Sequence, residues 1–147
     1  MKNIWLLLSS VLGFFIILGC FFYNSLLIDM DKLKDYVSES NLILQEVVEK
    51  EDKVNEKKGE YISRLLSIKN GMENTSTSIL FKQYKNTKIT SIELLIEAIN
   101  EDKTENKEEY IQLVFSSNEE SQEELDTLMN KNFIEVTYLC LKSYINV

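Results

Sequence analysis

Between Ile4 and Tyr23 the chain reads IWLLLSSVLGFFIILGCFFY, without one charged side chain. Wound as a helix at about 1.5 Å per residue, this run covers roughly 30 Å, the thickness of a bilayer's hydrocarbon core. Trp5 and Tyr23 stand at its ends, where amphipathic rings favour the membrane–water interface. Ser9 and Ser10 can bond back to the backbone of their own helix. A cleavable signal peptide has a shorter apolar run and then a small-residue cleavage site. Here the apolar character continues through Phe21, Phe22 and Leu27, which predicts a retained transmembrane anchor over residues 1–28.

Two other export readings stay open. Ile17-Leu18-Gly19-Cys20 resembles a bacterial lipoprotein processing site, in which the cysteine becomes the lipidated N-terminus; Leu18 and the Phe-Phe-Tyr after Cys20 fit that pattern poorly. Cleavage to a secreted protein is the third reading. The lone Lys2 before the run is the usual form of an export signal, so the rest of the chain is expected outside the cytoplasm, in a single-pass cell-membrane protein.

Charge and residue types narrow the chemistry. All 24 acidic residues follow Ile28, and only Lys2 of the 16 basic residues precedes it. A phosphate backbone needs a basic patch, so nucleic acid is not an expected partner. Histidine is absent, which removes Ser-His-Asp and Cys-His nucleophiles and histidine metal ligands. No calcium loop or glycine-rich phosphate loop is spelled. The expectation is a protein that is not an enzyme, with no catalytic residues, no metal and no cofactor. Cys20 and Cys140 read as small buried hydrophobes. Glu119, Glu120, Glu123, Glu124 and Asp126 read as an exposed helix start, and Asp29 and Asp31 as interface residues just past the bilayer.

Residues 29–147 are expected to form a helical domain. With no proline and four glycines, long helices are the default, and no period-two strand pattern is found. Met30, Leu33, Val37, Leu44, Val47 and Val54 form a heptad seam, interrupted at Ser40 and Glu51, that suits a partner helix. It is the candidate partner-binding face, either for the bundle's own helices or for another chain. Glu46–Lys50 and Glu49–Lys53 are favourable i,i+4 pairs on the solvated side. The register carries on through Tyr61, Leu65, Ile68 and Met72. Gly71 and the polar run Asn74–Ser78 mark a loosened segment. Thr90-x-x-Glu93 and Ser117-x-x-Glu120 spell capping boxes, predicting helix starts there, the second leading to Leu125, Leu128, Met129, Phe133, Val136, Leu139, Cys140 and Tyr144. The fold class is all-α: an N-terminal transmembrane helix, then an elongated antiparallel bundle of three to four helices.

KKGEYISRLLSIKNGM, residues 57–72, resembles a pattern in the LemA family: two basic residues, an acidic residue, Leu-Ile-Pro-Asn-Leu-Val and later Lys-Gly-Tyr. Lys57-Lys58, Glu60, Ile62, Leu65, Leu66 and Gly71 fall on matching positions. Ser63 stands where the family has proline, and Asn70-Gly71-Met72 replaces Lys-Gly-Tyr. Tyr23-Asn24-Ser25-Leu26-Leu27 is similar to the family's Tyr-Asn-x-Leu-Val at the end of its anchor. Glu97-Ala98 with Tyr110-Ile111-Gln112-Leu113 is similar to its Glu-Ala … Phe-Leu-Gln-Leu block. The resemblance implies a single-pass bacterial membrane protein with a helical bundle and no catalytic residues to carry over. The combined expectation is a membrane-anchored module, in contact with the lipid bilayer, that binds a protein partner or itself in a structural or regulatory role. The alternatives are a coiled-coil subunit of a bacterial envelope complex for division or lysis, and a ligand-sensing helical ectodomain.

Overall fold

The computed structural model describes residues 2–49, 51–101, 103–132, 134–136, 138–139 and 142, with side chains for all of these except 2–8 and 51–53. The chain forms α1 (Lys2–Glu49), α2 (Glu51–Asn74), a single 3-10 turn (Ile79–Phe81), α3 (Lys82–Asn100) and α4 (Thr104–Met129). No strand occurs among the described residues. Phe133, Cys140 and Tyr144, the side chain of Trp5, and the lysines expected to pair with Glu46 and Glu49 lie outside what is described.

α1 leaves the uncharged run without a break, as expected, and is described as far as Glu49. The heptad is split between two helices: Met30 to Val47 lie on α1 and Val54 lies on α2. Cross-links show how the helices meet. The Tyr61 hydroxyl donates to Glu46 at 2.7 Å, Arg64 Nε to Glu39 at 3.1 Å, and the Ser78 N–H to Asp29 at 2.7 Å. Numbers climb along α2 as they fall along α1. The same inverse order links α2 to α3, through Lys58 with the Asn100 carbonyl and the Lys69–Glu93 ion pair. It recurs between α3 and α4, where Gln83 meets Glu124 and Ser91 meets Asn118.

Tyr61, Leu65, Ile68 and Met72 are all buried, so the α2 stripe read from periodicity is the one that enters the core. Ile43 and Val47 of α1, and Ile92, Leu95 and Ile99 of α3, join it. Burial of each such side chain contributes about 1.5–3 kcal/mol, largely offset by chain entropy. The break falls after Asn74, as expected, but Gly71 lies within α2. A Cβ at Gly71 would stand 2.5 Å from Tyr36 Cε1; the glycine lets the α1 ring lie against the α2 backbone.

Both expected capping boxes fall inside helices. Thr90 is in mid-α3 and Ser117 in mid-α4, whose start at Thr104 precedes it by several turns. Ser117 is instead buried, its hydroxyl donating to the Thr87 carbonyl at 3.1 Å. With Ser91, Ser121 and Ala98 also buried, small side chains let α3 and α4 approach closely. A real capping box lies further on. The Asn132 side-chain oxygen accepts from the N–H groups of Ile134 and Glu135, both at 3.1 Å, and Glu135 accepts from the Asn132 N–H at 2.9 Å. The expected final helix is thus interrupted after Met129, because asparagine favours caps and turns over helix interiors.

The packed core reaches back into the segment assigned to the anchor. Phe22 and Leu26 are buried, and the Tyr23 hydroxyl donates to the Lys131 carbonyl at 3.0 Å, which brings the end of α4 to α1. Among the described side chains before Phe22 none is buried: Leu12 and Phe21 are 61% and 69% exposed. α1 is long and apolar enough to cross a membrane.

Candidate functional site

α3 packs extensively on α4, and α2 lies against both α1 and α3, while α1 and α4 leave a groove between them. A first hollow, about 510 Å³, lies beside that groove, between α1 and α3, along Met30, Leu33 and Val37 with Tyr84. The second, about 480 Å³, lies between Leu44 and Val48 of α1 and Phe115 and Asn118 of α4, with Lys88 of α3. The third, about 240 Å³, separates Val47 and Val48 from Lys107 and Ile111 of α4.

The heptad face can now be placed residue by residue. Leu33, Leu44, Val47 and Val54 are buried among the chain's own helices. Met30 and Val37 are half-buried and pack against that core. Leu44 and Val47 line the groove between α1 and α4, Met30, Leu33 and Val37 line the hollow beside it, and Val54, on α2, lines neither. What α1 leaves accessible around the seam is its rim: Val48 is 48% exposed, and Phe115 across the groove 51%.

Lys88 is the residue that periodicity alone passes over. Only 9% exposed, its Nζ donates to the Asn118 side-chain oxygen at 2.9 Å and sits 5.8 Å from the centre of the Tyr84 ring. Burial pushes its ammonium below the ordinary lysine value. No carboxylate lies within ion-pair distance of it among the described residues. A signal was present in the sequence: Tyr84, Lys88, Ile92 and Leu95 follow helical spacing, so one lysine occupies an apolar stripe.

Asp29, expected just past the bilayer, is a clamp within the bundle. It is buried, and besides the Ser78 N–H it accepts from Lys32 Nζ at 3.0 Å, which also reaches the Ser76 carbonyl at 2.9 Å. Burial raises its pKa, but hydrogen bonds from Ser78 and Lys32 outweigh this and hold the carboxyl below the usual aspartate value. The carboxylate thus sits at the positive N-terminal end of the 3-10 turn that leads into α3.

The acidic cluster at 119–126 is not at a helix start. Glu119, Glu120 and Glu123 are exposed in mid-helix, and Glu124 accepts from Gln83 and Thr87. Among the described residues no three acidic or cysteine side chains converge as a metal site. Cys20, expected to be buried, is exposed on the uncovered part of α1. No family model, no curated protein and no solved structure matches the chain.

Proposed function

We propose that this chain is a single-pass membrane-anchored helical-bundle protein with a structural or regulatory protein-interaction role. The observation that carries the reading is α1 itself. Its first half leaves large apolar side chains uncovered, its second half is packed into a core, and no break separates the two. An apolar helix without protein cover needs lipid or another protein around it. The inverse numbering of the cross-links between successive helices supports an antiparallel, up-down-up-down bundle. That arrangement supports a LemA-like architecture, which rests on the residue pattern at 57–72. Lys2 before the run supports an extracytoplasmic bundle.

The interaction surface in this reading is the open groove between α1 and α4, with Val48 and Phe115 on its rim. Pairing in trans through the heptad, as a coiled-coil subunit would do, has to displace the helices that already cover Leu33, Leu44 and Val47. A photocrosslinking amino acid at Phe115 in membranes should capture a discrete product, a partner or a second copy. The same group at exposed Ser63 on α2 should not. Identical patterns from the two sites would sink the groove as the interaction surface.

A further inference from the structure

The chain carries a net charge of −8, yet Lys88, only 9% exposed, has no acid within ion-pair distance among the described residues. An ammonium offers three donors. The one assigned acceptor for Lys88 is the neutral oxygen of Asn118, which also accepts from Ser91 Oγ at 3.1 Å. A buried charge without a counter-ion is costly, and an incoming anion relieves that cost. Lys88 lines the larger stretch of the groove, whose volume of about 480 Å³ is in the range of small-molecule sites. Its apolar lining is split across the gap, with Leu44 and Val48 on the α1 wall and Phe115 on the α4 wall. Glu49 lies on the same lining, its carboxylate accepting from Gln45 at 2.7 Å, and it opposes a second negative charge on the occupant.

We infer that this stretch binds a small organic monoanion, a carboxylate whose head meets the Lys88 ammonium and whose short apolar body lies between Leu44 and Val48 on one wall and Phe115 on the other. A polyanion is a poor match, because each further charge needs its own cation and the lining supplies one. The site shares Val48 and Phe115 with the surface proposed for a protein partner, so its test is made on the chain without one.

The test uses the full chain in lipid nanodiscs, labelled with ¹³C,¹⁵N-lysine and observed at Cε and Nζ. Lys88→Met removes and so identifies the Lys88 resonance; Lys88→Arg does the same while keeping the charge, should the methionine variant misfold. Titration with hexanoate should move that resonance saturably, with the other lysines unmoved. Equimolar hexanamide, which lacks the charge, should leave it in place. Phe115→Ala, at the exposed wall, should weaken hexanoate at least fivefold and leave acetate unchanged. A drift that never saturates, an equal response to hexanamide, or a shift shared by all lysines would overturn the inference.

Discussion

Gly59 and Gly71 share α2 and meet opposite surroundings. A Cβ at Gly59 would touch nothing within 4 Å, whereas one at Gly71 would run into the Tyr36 ring. Gly59→Ala should therefore stabilise the fold by about 0.5–1 kcal/mol through helix propensity and a less flexible unfolded chain. Gly71→Ala should destabilise it by about 1 kcal/mol, since overpacking of roughly 1–3 kcal/mol exceeds the same propensity gain. Urea unfolding of the full chain in detergent, followed by circular dichroism, separates the two. Tyr61 offers a test by pH. Its hydrogen bond to Glu46, then its burial, push the phenol up to about 12, from 10 when unfolded. The folded state thus favours the neutral phenol. Its contribution is whole below pH 10 and declines as pH rises through the folded value. Tyr61→Phe should flatten the loss of stability between pH 10 and about 12 relative to the wild-type chain.

At the level of elements, the helical segment that follows α4 is capped at its start by one side chain. Asn132→Ala removes the acceptor for two backbone N–H groups and should cost about 1 kcal/mol. Hydrogen exchange should quicken at the amides of 134–136 and stay unchanged in mid-α4. The elements that could be read from the sequence are those written in local periodicity. The unbroken α1, the Tyr61–Met72 stripe and the loop after Asn74 depend on residues a few places apart. Ser117-x-x-Glu120 spells a helix start as well as Asn132-x-x-Glu135 does. Only the neighbouring α3, thirty residues away in sequence, makes Ser117 a close-packing residue instead of a cap. The clamp at Asp29 was hidden for the same reason, since its partner Ser78 is distant in the chain. The heptad was found as a seam, but which helices cover it and where α1 and α4 fail to close is a property of the assembled bundle. Lys88 needed no tertiary knowledge, only attention to a charged residue in an apolar stripe.

For the molecule as a whole, the anchored reading makes two predictions that can be checked in cells. Protein extracted from membranes should have the mass of the full chain, because apolar residues continue past Cys20; a diacylglyceryl-modified Cys20 at the N-terminus would establish the lipoprotein reading instead. A cysteine at exposed Glu123, in a chain whose two native cysteines are replaced, should react with an impermeant maleimide on intact cells. Labelling only after lysis would put the bundle inside. Between Gly19 and Glu49 α1 contains neither glycine nor proline, and it is helical throughout. The part beyond Tyr23 extends about 40 Å at 1.5 Å per residue. Transmembrane helices adjust to bilayer thickness by tilting. With no hinge to absorb it, a tilt of about 10° in the span sweeps the far end of that arm through roughly 7 Å. In the proposed anchored reading, the bundle would be a lever that turns membrane thickness into displacement, and a load applied to it would return to the bilayer as torque.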